Sequence, residues 1–209
     1  MISLEKYLQN PCLSLSIPYW KAKTISVPDN MKIVHDGDFS TELLKEYEDE
    51  TYFRLYHSMK KLTKPEPEGY DIITASPEDI ETIVSVINQS YTDLQVNKEQ
   101  MRSYIKTPVY HPDLWILIKE LSTGTFVGCG IADFDSEAEE LILEWIQVLP
   151  EHRERSLGTA IVKELLWRGR EYAKFATGSG KVENKTKPEA LYRKCGFIGN
   201  DVWHILRKK

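Results

Sequence analysis

Several features that mark large protein classes are scarce or missing in this sequence. Only three of the 209 residues are cysteines, and Cys12, Cys129 and Cys195 lie too far apart for a paired or metal-binding spacing. No stretch approaches the roughly 20 apolar residues that a membrane-spanning helix needs, and no basic segment followed by an apolar run opens the sequence. We therefore expect reduced cysteines, a cytoplasmic location and no membrane partner.

Positive charge is also scarce. Lys and Arg together number 27 against 32 Asp and Glu, which gives a formal net charge of −5. A surface that binds nucleic acid needs clustered basic side chains to displace the counterions of the phosphates, so we expect no nucleic-acid partner. The five histidines show no ligand spacing, so the sequence predicts no metal site.

We expect residues 1–69 to form an N-terminal extension with one long helix, which can pack on a main domain formed by residues 70–209. Up to about residue 38 the segment is rich in loop signals such as Asn10-Pro11. Ser40 can then cap a helix over about Glu42–Leu62, which Pro65 would help to end. A spacing of three or four residues is typical of one helical face. The residues with this spacing are Leu44, Tyr47, Thr51, Leu55, Met59 and Leu62.

Residues 70–209 predict one domain that mixes strands and helices. The predicted strands cover about 71–74, 114–119, 126–133, 140–148, 174–177 and 202–206. The predicted helices are one capped by Ser76 and three over about 98–105, 157–172 and 188–194. Short turns separate the second, third and fourth strands, so we expect an antiparallel meander there. The fold class is α/β (α+β), with a mixed, mostly antiparallel central sheet flanked by helices and a partly helical N-terminal extension.

Residues 144–159 join an apolar strand to a helix through a turn rich in arginine and small residues. The first amides of a helix have no partner within it, and the helix dipole adds partial positive charge, so a phosphate is a natural ligand. Small residues at Ser156 and Gly158 would let phosphate oxygens approach the backbone, and Arg153 or Arg155 could add charge-assisted contacts. A tight turn with solvated arginines is the alternative.

The pattern Val148-x-Pro150-x-x-Arg153-x-x-Ser156-x-Gly158 resembles the acyl-CoA-binding signature of the GNAT N-acetyltransferase superfamily. That signature runs from a strand end to Arg or Gln, two residues, Gly, one residue, and Gly or Ala, so Ser156 stands where the family has its first glycine. A second block, from Asn184 to Phe197, is similar to the family's later motif, in which Asn precedes a short helix that carries Leu-Tyr and ends at Gly-Phe. The resemblance covers about residues 70–206 and not the first 69.

The resemblance implies that the domain over 70–209 binds acetyl-CoA or another short acyl-CoA as co-substrate. The residues that it assigns to the cofactor are Ile146, Gln147, Val148, Arg153, Glu154, Arg155, Ser156, Leu157, Gly158, Thr159 and Asn184. In this family the backbone at the end of the strand pairs with the acyl carbonyl and the pantetheine amides. For Asn184, an ordinary turn or helix-capping role is an equal alternative to a contact with the pantetheine.

Two residues are candidates for acid–base chemistry. In the two-residue period of a strand, Glu144 shares a face with Ile142, Ile146 and Val148. A carboxylate among aliphatic side chains is partly desolvated and suited to accept a proton, and a solvated bystander is the alternative. The resemblance assigns the acid that protonates the leaving thiolate to Tyr192, whose alternative is a core tyrosine packed beneath the sheet.

Two further patterns carry less weight. Tyr91 lies where substrate-facing loops occur in this family, but an aromatic residue at a helix end is at least as often part of the core. The stretch from Thr177 to Lys181, with Gly178 and Gly180, looks like a phosphate-binding loop. We reject that interpretation because Phe175 stands where the required first glycine would be, and Val182 follows the lysine.

The sequence therefore predicts an acetyl-CoA-dependent N-acetyltransferase that acts on a primary amine of a small molecule or peptide. A non-catalytic acyl-CoA-binding regulatory module of the same fold is the first alternative, and a structural or interaction protein is the second. Dimers are common among relatives, so a homodimer is compatible with the resemblance.

Overall fold

A computed structural model describes residues 2–91 and 94–209 of the chain. The chain divides into two compact units. One combines Met1–Ser58 with Thr177–Lys209 and is called here the discontinuous unit, and the other is Met59–Ala176, the continuous unit. The N-terminal residues therefore share a unit with the C-terminal residues.

Helices and strands follow each other mostly in runs of two or three along the described chain. The helices are α1 (Leu4–Gln9), α2 (Pro11–Ser14), α3 (Tyr19–Thr24), α4 (Ile80–Ser90), α5 (Lys98–Tyr104), α6 (Leu157–Gly169) and α7 (Pro188–Lys194). The strands are β1 (Met31–His35), β2 (Tyr47–His57), β3 (Tyr70–Thr74), β4 (Trp115–Glu120), β5 (Phe126–Asp135), β6 (Glu140–Val148), β7 (Phe175–Lys181) and β8 (Ile198–Lys208). Among residues 2–91 and 94–209, no helix has the length and apolar character needed to cross a membrane.

The strands form an open, mostly antiparallel sheet of eight strands. Within the discontinuous unit their order is β1-β8-β2-β7, and within the continuous unit it is β6-β5-β4-β3. With helices flanking the sheet, this architecture confirms the predicted fold class.

The continuous unit contains the predicted meander, in which β4 pairs antiparallel with β5 and β5 with β6. The middle of β4 is fully buried from Ile116 to Ile118. At Gly130 on β5, an added Cβ would lie 2.4 Å from a methyl carbon of Ile161 and 3.2 Å from one of Leu165. Glycine is therefore required there because α6 lies directly on the strand backbone.

Local capping explains where the helices of the continuous unit begin. The backbone N–H and the hydroxyl of Ser76 both donate to the Asp79 carboxylate at 2.8 Å. A short 3-10 turn over Pro77–Asp79 then leads into α4. Asn97 accepts from the backbone N–H of Gln100 at 2.9 Å and so caps α5. The predicted helix after Ser76 and the predicted helix over 98–105 are confirmed.

In the discontinuous unit, the predicted long helix over Glu42–Leu62 is wrong. The structure has a 3-10 turn at Thr41–Lys45, and the eleven residues of β2 follow it. The segment is rich in aromatic residues, which favour strands, and it pairs along its length with β8, for example Tyr52 with Trp203. That pairing supplies backbone hydrogen bonds that an isolated helical spacing cannot outweigh.

The first 38 residues are also more regular than the loop signals predict. Ser3 accepts from the backbone N–H of Lys6 at 3.3 Å, and Asn10 accepts from that of Leu13 at 3.2 Å. These two side chains cap α1 and α2, so Asn10-Pro11 marks a helix start and not a loop.

Candidate functional site

Strand β6 contains a β-bulge at Glu144. On β5 the neighbours Ile131 and Ala132 pair with Trp145 and Leu143, so Glu144 is the extra residue of the bulge. Its side chain is half-buried. Bulges re-aim side chains and occur often beside active sites, which keeps Glu144 a candidate although its catalytic role stays a prediction.

The bulge changes which residues of β6 share a face. Neighbours on β5 point to opposite faces, and therefore so do Leu143 and Trp145. By the same register Ile142 lies on the face of Trp145, whereas Ile146 lies on the face of Leu143. The predicted common face of Ile142 and Ile146 is thus wrong, because the extra residue shifts the alternation by one position.

The turn after β6 holds two residues in the left-handed backbone region. Glu154 has φ +63° and Ser156, the N-cap of α6, has φ +61° and ψ +11°. The first helical hydrogen bond runs from the Ala160 N–H to the Ser156 carbonyl at 3.0 Å. A left-handed conformation costs a residue with a Cβ roughly 1–2 kcal/mol, which gives a physical reason why the related signature has glycine where this chain has Ser156.

Arg153 binds two backbone carbonyls. Its Nε donates to the Val148 carbonyl at 3.2 Å and its Nη2 to the Ser90 carbonyl at 2.8 Å. Val148 ends β6 and Ser90 ends α4, so the guanidinium ties the turn to the last residue of each element. The predicted contact of Arg153 with a phosphate stays a prediction.

Arg155 is more open. Its Nη1 donates to the Tyr70 hydroxyl at 2.9 Å and lies 3.9 Å from the Glu120 carboxylate, and about half of its side chain (53%) is exposed. A half-exposed guanidinium can turn toward an anion more readily than the Arg153 guanidinium, which bridges two carbonyls.

Gln147 and Tyr91, both named from the sequence, are brought together. The Gln147 side-chain amide, which is buried, donates to the Tyr91 hydroxyl at 2.8 Å. Tyr91 directly follows α4, so this bond and the Arg153–Ser90 bond both fix the C-terminal end of α4. Whether Tyr91 meets a substrate stays a prediction.

The other residues assigned to the cofactor differ in exposure. Ile146, Val148, Gly158 and Thr159 are half-buried, Glu154 is exposed, and Leu157 is buried. No set of three or more His, Cys, Asp or Glu side chains within 2–91 and 94–209 is placed to hold a metal ion. Cys129 is fully buried, and burial raises the pKa of its thiol to about 12.

Tyr192 belongs to the discontinuous unit and lies on α7. Only 4% of it is exposed. Its ring centroid is 5.2 Å from that of Phe197 and 6.0 Å from that of Phe53. This packing agrees with the core alternative for the ring, while the predicted role of the hydroxyl as an acid stays open to experiment.

Asn184 orders a turn. Its side-chain oxygen accepts from the Thr186 backbone N–H at 2.9 Å and from the Thr186 hydroxyl at 2.7 Å. The alternative role in the turn is therefore present, and a pantetheine contact stays a prediction.

The rejected phosphate loop, 177–181, lies within strand β7 and does not join a strand to a helix.

Of the residues that contact Tyr192, Phe53 falls within the wrongly predicted helix, and Gly178 stands out in the sequence only as part of a loop-like motif with Gly180. The two-residue spacing of these glycines on a short strand was the available signal, because it places both on one face.

The structure first defines the class of the protein, which is an α/β fold with a mostly antiparallel sheet in which a short turn joins β6 to α6. Residues 111–198 match the family model for the acetyltransferase (GNAT) domain. This match covers less than half of the chain, and together with the fold it supports membership of the GNAT superfamily and an acetyltransferase activity in general.

Solved structures agree on the fold. A GCN5-related N-acetyltransferase from Sphaerobacter thermophilus is similar with a TM-score of 0.71 and 20% identity, over 85% of this chain and 58% of that one. A GNAT-family acetyltransferase from Colwellia psychrerythraea is similar with a TM-score of 0.60 and 13% identity, over 85% of this chain and 64% of that one. Ard1 from Thermoplasma volcanium is similar with a TM-score of 0.54 and 18% identity, over 67% of this chain and 97% of that one.

The chain thus spans less than two thirds of the Sphaerobacter and Colwellia proteins. At these identities the similarity establishes the fold and not the substrate. No curated protein sequence matches the chain.

Proposed function

We propose that the protein transfers an acetyl group from acetyl-CoA to a primary amine of a small molecule or peptide. The observation that carries this proposal is the strand–turn–helix segment within the matched family domain. There, α6 begins at Leu157 directly after its N-cap Ser156, and the first amides of a helix have no partner within it. Helix starts of this kind bind phosphate groups through backbone amides and the helix dipole.

The residues of the turn fit a diphosphate. Ser156 and Gly158 are small, and the backbone there can be approached closely because Ser156 is exposed and Gly158 has no side chain. The charge is supplied by Arg155, whose guanidinium is half exposed. The turn would hold the diphosphate, and the thioester supplies the activated acetyl group.

In the proposed reaction the amine nitrogen attacks the thioester carbon, a C–N bond forms, and the C–S bond breaks. Glu144 accepts the proton of the amine, directly or through a water molecule. The role is supported by the bulge at Glu144, because bulges re-aim side chains and occur often beside active sites. Tyr192 donates a proton to the sulfur as the thiolate leaves. A positioned acid or base contributes about 10²- to 10⁴-fold in rate.

Thermal shift and thiol release test this proposal in sequence. A ligand that binds the native state raises the melting temperature, so CoA and acetyl-CoA should each stabilise the protein. Thiol release from acetyl-CoA over a panel of small amines and peptides should then identify an acceptor. If neither CoA species stabilises the protein and no amine yields free thiol, the proposal is wrong.

The regulatory module is the second candidate, and the left-handed Ser156 favours it. A strained N-cap with a side chain near the diphosphate is compatible with CoA binding that has lost turnover. Stabilisation by CoA without thiol release for any amine would support this candidate over the transferase.

A further inference from the structure

Two glycines of β7 lie directly beneath aromatic rings. A Cβ added at Gly178 would be 3.2 Å from the Cε1 and Cζ atoms of Tyr192. A Cβ added at Gly180 would be 2.8 Å and 2.9 Å from the Cζ and Cε1 atoms of Phe53. Residues two apart on a strand share a face, so both rings rest on one face of the same backbone.

The two rings also contact each other. The centroids of Phe53 and Tyr192 are 6.0 Å apart with the ring planes at 65°, an edge-to-face arrangement. Phe197 closes another side of Tyr192 at 5.2 Å. Phe53 is 2% exposed and Tyr192 4%, so neither ring has room to change its position without moving its neighbours.

Phe53 is itself fixed by the backbone of β2. It pairs with Val202 of β8, and the Val182 N–H, just after β7, donates to the Thr51 carbonyl at 2.9 Å. Glu50 adds an ion pair with Lys181 at 2.5 Å. Strand β2 therefore places the Phe53 ring relative to β7 by bonds on both sides of the residue.

We propose that Phe53 is a positioning residue for the Tyr192 hydroxyl. Phe53 lies on β2, outside the residues 111–198 that match the family domain. Because catalytic groups displaced by about 1 Å can lose on the order of 10²-fold in rate, the ring that fixes Tyr192 affects turnover without touching the substrate. This inference rests on the proposed function, with Tyr192 as the acid.

A double-mutant cycle tests the proposal on the full chain. Phe53→Leu should lower kcat about tenfold while KM for acetyl-CoA stays within about twofold, because a displaced acid affects the chemical step and not cofactor binding. In a Tyr192→Phe background the same substitution should leave kcat unchanged, since the hydroxyl that Phe53 positions is gone.

Two controls keep the result interpretable. Leu55→Val makes a similar small loss in a fully buried residue of the same strand and should leave kcat within about twofold. If Phe53→Leu does not fold, Gly180→Ala should lower kcat in its place, because the new Cβ displaces the Phe53 ring.

Three outcomes overturn the inference. Unchanged kcat in folded Phe53→Leu, with Tyr192→Phe impaired, refutes the positioning role and leaves the proposed function intact. An equal loss of kcat in both backgrounds shows that Phe53 affects turnover independently of the Tyr192 hydroxyl and also refutes the positioning role. If the wild type releases no thiol with any amine, or Tyr192→Phe keeps the wild-type kcat, the assigned reaction or acid has failed and the inference fails with it.

Discussion

The two sets of candidate residues are held in place by different forces. At the turn after β6, hydrogen bonds from Arg153 and a left-handed Ser156 shape an exposed backbone. Around Tyr192, aromatic rings rest on glycines and nearly all the surface is buried. Substitutions at the turn should therefore change anion binding and local stability, whereas substitutions around Tyr192 should change turnover.

The largest expected effect is at Tyr192. Tyr192→Phe should lower kcat by about 10²-fold or more, because it removes the proposed proton donor, while CoA binding is kept. The ring packing against Phe53 and Gly178 is retained, so the melting temperature should stay close to that of the wild type. Steady-state thiol release with the best amine measures kcat, and a Phe variant with unchanged kcat would remove Tyr192 as the acid.

The next effect separates the two arginines of the turn. Arg153→Ala should destabilise the protein by about 2 kcal/mol, because two carbonyls lose a charged hydrogen-bond donor. Arg153→Lys should be nearly as damaging, since a single ammonium group cannot replace a guanidinium that bridges two acceptors. Chemical denaturation measures both losses of stability.

Arg155 is the matched control for Arg153. Arg155→Ala should change stability little, because the Arg155 side chain is about half exposed, but should raise Kd for CoA about tenfold. Arg155→Lys should keep most of the affinity. Equal stability losses at the two positions, or full CoA affinity in Arg155→Ala, would contradict the division of roles between these residues.

A third test concerns the left-handed N-cap. Ser156→Gly should stabilise the protein by about 1 kcal/mol, because glycine adopts the observed φ of +61° without the roughly 1–2 kcal/mol cost of a Cβ. It should also tighten CoA binding, since the side chain next to the amides is removed. Ser156→Ala, which keeps a Cβ, is the control and should show neither gain.

Elements set by local signals can be predicted from this sequence, whereas elements set by distant partners cannot. The helix starts at Ser76 and Asn97 were predictable because capping signals are local. Strand β2 was not, because Leu44, Tyr47, Thr51 and Leu55 fit a helical spacing and the partner strand β8 is about 150 residues away in the sequence.

Within the candidate site, the limit is set by backbone conformation. The signature located the turn and the helix that follows it, and the structure places both where they were expected. The bulge at Glu144 has no glycine or proline to mark it, and Ser156 does not reveal a left-handed backbone as a glycine would. Residues on the correct segment could thus be named, but the direction of their side chains could not be derived.

The smallest expected effect concerns how β2 is joined to its neighbours. The hydrogen bond from Lys181, then that from Tyr52, lowers the pKa of Glu50 from its ordinary value of 4.5 to about 2. A carboxyl group with a lowered pKa in the folded state stabilises the protein above its unfolded pKa. That contribution is lost as the pH falls from about 4.5 toward 2.

Glu50→Gln should therefore destabilise the protein by about 1 kcal/mol or less at pH 7, the size expected for a partly exposed ion pair. The difference from the wild type should shrink as the pH falls below about 4.5, because the wild type loses the same charge. Chemical denaturation between pH 3 and 7 measures it, with Glu48→Gln as the control on an exposed position of the same strand. A difference that is independent of pH would mean that Glu50 stabilises β2 through its shape and not through its charge.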